Sequence, residues 1–257
     1  MKITKEKLET LYLTEKRCIK DIAFILKLHP GTIGRKLSEF NIPKRAPSVF
    51  RHPEATLTEK QKEVLNGALL GDGTITQNRM VYSSKSKEHV EFVWKYFFGL
   101  LTPANEKALS VVSQFDKRTN KTYTRFFFGT QSNECFTKYQ KIWYKPKKII
   151  PEDLKLTPLT CLVWYLGDGG MVKGSTASHI KISTNGFNKS QIERILLPQL
   201  SQFEAKILKT NKLDQFYVYI PRRRFQNFFN YIGDCPFSDY KHKWDYNPYK
   251  NKAWELK

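Results

Sequence analysis

Two passages of this 257-residue chain echo each other, and each delivers an aspartate in the same setting. Leu65-Asn66-Gly67-Ala68-Leu69-Leu70-Gly71-Asp72-Gly73 is answered 96 residues later by Cys161-Leu162-Val163-Trp164-Tyr165-Leu166-Gly167-Asp168-Gly169. Each reads as a helix that stops at its Gly-Asp-Gly. Gly67 and Gly71 lie four apart on one face, and such a small-residue stripe lets a partner helix approach backbone to backbone. Val163 and Gly167 hold the same places in the second copy, so the first helix fits the rule better. If the two helices pack side by side, Asp72 and Asp168 emerge together where both helices end. Carboxylates so placed repel one another and the negative ends of the helix dipoles, and cations are needed to offset that cost. Mg²⁺ (or Mn²⁺) suits the setting, because it keeps several waters and binds through one or two carboxylates plus substrate phosphate oxygens. Two such ions could help deprotonate an attacking water, hold a scissile phosphate and stabilise the leaving oxygen. A single Gly-Asp-Gly is a common turn in which Asp merely stops a helix. Two copies in matching surroundings are not accounted for in that way.

The surroundings do match. Each motif is followed by a short alternating strand, Arg79 to Lys85 or His179 to Thr184, then by an amphipathic helix, Glu88 to Leu100 or Lys189 to Leu200. Another pair of strand-like runs, Leu109 to Phe128 or Lys206 to Ile220, precedes a closing helix, so an internal duplication explains the whole stretch.

These residues resemble the signature of the LAGLIDADG homing endonucleases, over roughly residues 58 to 245. The resemblance implies an α+β fold: a duplicated αββαββα core with pseudo-twofold, saddle-shaped antiparallel sheets. It implies a monomer that binds double-stranded DNA, straddles a long nonpalindromic target and makes a staggered double-strand cut across a minor groove, with main-chain oxygens of Gly71 and Gly167 also touching metal. It further implies a basic residue near each acidic centre. Lys148, just ahead of the second motif, matches one such position, and Lys241, after the last helix, matches the other. Either could stabilise charge on the reacting phosphate, clamp a phosphate or be a plain surface charge. Asn66 and Val163 depart from the signature, which keeps open a noncatalytic nucleic-acid binder such as a splicing maturase or a transcriptional regulator.

In the alternating strands one face packs on helices and the other is free to meet DNA. Ile180 and Ile182 oppose His179, Lys181 and Ser183, while Phe216, Val218 and Ile220 oppose Gln215, Tyr217 and Tyr219. Lys209 and Lys212 join that second-half set. Arg79, Ser83, Gln114, Lys117, Arg118, Lys121, Tyr123 and Arg125 are the first-half counterparts. Arg and Lys read guanine edges and Gln reads adenine, whereas most lysines would pair with phosphates. Any one of them also fits ordinary strand polarity.

Charge agrees with such a partner. Lys and Arg number 44 against 24 Asp and Glu, a formal +20 spread along the whole length, as expected of a broad surface facing a polyanion. At 40% hydrophobic and 14% aromatic the composition is that of a globular protein. No apolar run reaches the ~18 residues of a membrane helix, and the start lacks a signal-peptide pattern, so an intracellular setting, cytoplasmic or organellar, is expected. Cys18, Cys135, Cys161 and Cys235 are too scattered for a zinc site.

Residues 1 to 45 read as three short helices with apolar stripes Leu8, Leu11, Tyr12; Ile19, Ile22, Ala23, Leu26; and Ile33, Leu37, Phe40. Pro30 suits the first turn of the third. The spacing resembles a helix-turn-helix module that would present Thr32, Arg35 and Lys36 to the major groove; a plain three-helix packing unit fits as well. Residues 46 to 57 form a basic, proline-rich linker, leaving 58–150 and 151–257 as the two repeats with a C-terminal tail.

Overall fold

A computed structural model describes residues 3–15, 17–43, 55–98, 109–117, 119–173, 178–210 and 214–245. The first of the two long helices, α4 (Glu59–Leu70), starts at a capping box in which Thr58 and Gln61 satisfy each other's backbone N–H groups. It buries Val64, Leu65, Gly67, Ala68, Leu69 and Leu70, a far wider apolar face than a surface helix carries. Its counterpart α7 (Pro158–Asp168) has Thr157 as cap and Pro158 in its first turn, and is buried from Thr160 to Leu166.

Each long helix feeds the same sequence of elements. After α4 come β1 (Thr74–Thr76), β2 (Arg79–Ser84), α5 (Lys87–Phe97), β3 (Ser110–Asp116), β4 (Lys121–Gly129) and α6 (Glu134–Trp143). After α7 come β5 (Gly169–Val172), β6 (His179–Ser183), a helical run opening with α8 (Lys189–Gln191) and closing with α9 (Leu197–Gln199), then β7 (Lys206–Lys209), β8 (Phe216–Pro221) and α10 (Phe225–Ile232). The sheets have orders β1-β2-β4-β3 and β5-β6-β8-β7, and every pairing is antiparallel. This is the α+β fold expected, with αββαββα realised twice. Three details differ. β1 and β5 follow the motifs directly and are too short and glycine-bounded for alternation to reveal. The helix expected over Lys189 to Leu200 has a π turn at Ile192–Leu196, next to Pro198, which has no N–H to give the regular ladder. α5 ends at Phe97, short of Leu100, which lies outside the described residues.

One apolar cluster runs through both halves, from Leu57 to Ile232, with α4 and α7 at its centre. Their contact is knob-into-hole. A β-carbon on Gly67 would fall 2.5 Å from the Thr160 carbonyl oxygen and 2.8 Å from Val163 Cβ, so Val163, the departure from a small-residue stripe, fills the space Gly67 leaves. The Thr160 hydroxyl also donates to the Glu63 carbonyl across the pair, at 3.1 Å. Gly67→Ala should therefore force the helices apart and lower the unfolding free energy by about 1–3 kcal/mol in denaturant titration. Adding Val163→Ala should not restore the loss, because the Thr160 carbonyl oxygen and the β-carbon at position 163 both stay in place; a Gly67→Ala variant as stable as wild type would contradict this packing.

The amino-terminal residues form a separate apolar cluster. It is made by α1 (Lys5–Glu9), which continues through a π turn at Thr10–Thr14, by α2 (Ile19–Ile25) and by α3 (Pro30–Glu39). Its buried residues are those of the three expected stripes, with Ile42 added and with Ile19 and Phe40 at the margin. The greater part of the expected linker, residues 46–54, lies outside the described residues. Among the described residues no helix is long and apolar enough to cross a membrane.

Candidate active site and nucleic-acid interface

Because α4 and α7 pair along their length, the two Gly-Asp-Gly turns meet. The contact is reciprocal: Asp168 Oδ2 lies 3.6 Å from where a β-carbon on Gly71 would stand, and Asp72 Oδ2 lies 3.6 Å from the same point on Gly167. Each carboxylate thus reaches to the other motif's glycine, where a β-carbon would stand in van der Waals contact with the opposite aspartate. Burial, reinforced by the charge of Asp72, raises the Asp168 carboxyl to about 6. Asp72 is also raised, chiefly by burial, against the opposing pull of Arg125, Lys243 and Lys148.

Lys148 lies at the end of α4. Its ammonium donates to the Gly73 carbonyl at 3.0 Å and the Gly71 carbonyl at 3.3 Å, capping the end of α4. The second lysine is a correction. Lys241 is exposed, and it is Lys243 whose ammonium donates to the carbonyls of Leu166 (2.6 Å) and Tyr165 (3.4 Å) at the end of α7. The terminal turn, a 3-10 helix over Ser238–Lys243, sets which lysine points inward, and a sequence reading Lys241-His242-Lys243 does not distinguish them. Burial lowers both inward lysines to about 8, with the two aspartates pulling the other way.

Beside the carboxylates lies a buried polar chain that sequence reading missed. The Tyr82 hydroxyl, 3.8 Å from the notional β-carbon of Gly167, bonds to His89 Nε2 at 2.8 Å, and His89 Nδ1 bonds to the Tyr240 hydroxyl at 3.2 Å. Burial, then the charge of Lys243, lowers His89 to about 3, so the imidazole is neutral. The available signal was a Tyr and a His on faces that periodicity marks as apolar.

Among the described residues no cluster of three or more His, Cys, Asp or Glu could hold a metal ion. Two carboxylates beside main-chain carbonyls do fit an ion that completes its shell with water and phosphate oxygens. A self-sufficient cage of Zn²⁺ type does not fit.

The outward faces of the sheets carry most of the expected DNA contacts, since cross-strand partners share a face. In the first sheet Arg79 and Ser83 of β2 lie on the face of Tyr123, Arg125 and Lys121 of β4, and Gln114 of β3 pairs with Tyr123 through the backbone. The Lys85 ammonium lies 4.5 Å above the Tyr123 ring, and Lys117 is exposed at the β3–β4 turn. In the second, His179, Lys181 and Ser183 of β6 stand opposite Pro221, Tyr219 and Tyr217 of β8. His179 stacks on Tyr217, and Lys181 lies 4.7 Å above that ring. Gln215, just before β8, shares their parity. Lys209 does not: it pairs with Phe216, on the helix side, whereas Lys206 pairs with Tyr219 and takes the outward place. A one-residue shift in strand register reverses the face, and the register of this edge strand was not readable from its sequence. Arg118 and Lys212 lie outside the described residues. On α3, Thr32 is half-buried and Arg35 exposed, while Lys36 is paired with Glu39 at 2.5 Å.

The fold and the paired motif helices define a LAGLIDADG protein, and the comparisons agree. Residues 62–228 match the LAGLIDADG DNA endonuclease family, and the chain belongs to it. It is 29% identical over 155 residues to the DNA endonuclease I-ChuI of Chlamydomonas applanata, covering 54% of this chain and 71% of that one. It is 26% identical over 216 residues to the probable intron-encoded endonuclease 1 of Wickerhamomyces canadensis, covering 77% and 89%. Among solved structures it shares its fold with the homing endonuclease I-WcaI bound to its DNA recognition sequence, with a TM-score of 0.64, 21% identity, and coverage of 80% of this chain and 97% of that one.

Proposed function

We propose that the chain is a single-chain, site-specific homing endonuclease that makes a staggered, metal-dependent double-strand break in DNA. The observation that carries this reading is the reciprocal approach of Asp72 and Asp168 at the ends of paired helices. A protein that only binds nucleic acid has no use for two facing carboxylates held above their ordinary range at a cost in stability. A divalent ion bound there, Mg²⁺ or Mn²⁺, supplies charge neutralisation and makes water more acidic. The chain's own part would be to offer the carboxylates of Asp72 and Asp168, with the main-chain oxygens of Gly71 and Gly167 as further candidate ligands, and to keep Lys148 and Lys243 protonated beside them. Both lysines, at about 8, are mostly charged at neutral pH and suited to donate to phosphate oxygens as negative charge builds.

The two sheets share a topology but not their outward residues: Arg79, Ser83, Tyr123 and Arg125 on one, His179, Lys181, Tyr217 and Tyr219 on the other. Unlike faces suit unlike half-sites, which supports a target without palindromic symmetry. The three-helix unit would add Thr32, Arg35 and Lys36 to the contact. The test is to incubate the protein and Mg²⁺ with its own coding locus lacking the intervening sequence. One staggered break is expected; tight binding without cutting under any divalent ion would favour the noncatalytic reading.

With a formal charge of +20, binding should rest heavily on phosphate contacts. Affinity should fall on the order of 10³-fold or more between about 50 and 200 mM salt, measured by fluorescence anisotropy. A flat salt dependence would count against the broad basic interface.

A further inference from the structure

We propose that Asp239, Tyr240 and His89 act as a latch that positions Lys243, so that cutting of one DNA strand depends on a contact between the first repeat and the C-terminal segment. This rests on the endonuclease reading above.

The turn Ser238–Lys243 buries no residue of its own and is held by polar bonds to the corner between β2 and α5. Ser86 donates to Asp239 Oδ2 at 2.6 Å. The Ser238 hydroxyl and the Asp239 N–H both donate to Glu88 Oε2, at 3.0 and 3.2 Å. The Tyr240 hydroxyl meets Ser84 Oγ at 3.1 Å and His89 Nδ1 at 3.2 Å. From this anchorage the chain reaches Lys243, whose ammonium lies 4.5 Å above the Tyr240 ring and donates to the end of α7. Tyr165 closes the far side, its hydroxyl donating to the Lys243 carbonyl at 2.8 Å.

Among the described residues the device has no counterpart built from the second sheet. Tyr82, which opens the chain by bonding His89, pairs with Phe128 in the first sheet, and the residue at the same place in the second is Ile182, paired with Val218. Lys148 takes its place differently, from the loop between α6 and α7, through the Gly71 and Gly73 carbonyls. Loosening the latch thus disturbs one lysine and leaves the other, and a misplacement near 1 Å costs on the order of 100-fold in rate.

Tyr240→Phe keeps the ring beneath Lys243 and removes both hydroxyl bonds; Asp239→Asn weakens the anchor to Ser86. With the wild-type target labelled on each strand, either variant should slow one strand on the order of 10- to 100-fold, so that nicked circles accumulate while DNA affinity and melting temperature stay near wild type. Equal slowing of both strands, or of neither, overturns the proposal. Should Tyr240→Phe fold poorly, Asp239→Asn decides in the same way. If the wild type cuts neither strand, the nuclease reading has failed, and the latch is then judged by amine-reactive labelling read by mass spectrometry. Labelling of Lys243 relative to Lys148 should rise several-fold in Tyr240→Phe, and an unchanged ratio overturns the latch.

Discussion

Asp72→Asn and Asp168→Asn should each reduce double-strand cutting by at least about 10³-fold, the upper end of what one stabilising group supplies. Affinity for DNA should stay within about threefold, because it comes from basic contacts spread over the sheets. The amide keeps the shape of the carboxyl and loses its charge. The two effects should not add. Each carboxylate reaches across to the other motif's glycine, so losing one spoils a shared arrangement, and the double variant should be little worse than either single one, as for residues that act as a unit. Strand-labelled cleavage together with anisotropy measures both quantities. Normal cutting by either variant, or two losses that multiply, would mean the aspartates work independently or not at all.

The second large effect runs opposite in sign. Without metal, Asp168→Asn should make the protein more stable, by on the order of 1–2 kcal/mol at pH 7 once solvent screening is allowed for. The carboxyl titrates near 6 in the folded chain against an ordinary 3.8. Between those pH values the folded protein binds more protons than the unfolded one, so stability falls as pH rises through that window. The gap between variant and wild type should therefore be small near pH 4, open between about pH 4 and 6, and stay constant above that. Divalent metal should stabilise wild type and not Asp168→Asn. Equal stability of the two proteins at pH 7, or a gap that closes as pH rises, would contradict this electrostatic description. Activity and stability are opposed at this site because the burial of two carboxylates, with the repulsion between them, weakens the metal-free fold and also favours a bound cation.

Much of this was legible in the residues. The two Gly-Asp-Gly motifs at equal places in a repeated pattern pointed to Asp72 and Asp168, and alternation in His179–Ser183 gave the outward face of β6 because a strand buried on one side must alternate. The three amino-terminal stripes became the core of the three-helix unit. What failed did so where geometry is set by distant contacts. Lys243 instead of Lys241 follows from a turn anchored on Glu88 and Ser86, some 150 positions away in the chain, and no local pattern encodes it. Lys209 lies on the helix side and not the outward one because the register of a four-residue edge strand is fixed by its neighbour Phe216–Pro221. Val163 looked like a departure from the motif until Gly67 was seen opposite it. The Tyr82–His89–Tyr240 chain was hidden because polar residues on an apolar face are anomalies in a pattern, and their partners cannot be read from spacing.

The most direct test of the central claim is where a metal binds. In crystals of the DNA complex grown with Mn²⁺, anomalous scattering should show density between the carboxylates of Asp72 and Asp168, against the DNA backbone, and that density should vanish in Asp72→Asn/Asp168→Asn. Anomalous density found only elsewhere on the chain, or a complex that cuts with nothing bound between those two side chains, would contradict the account.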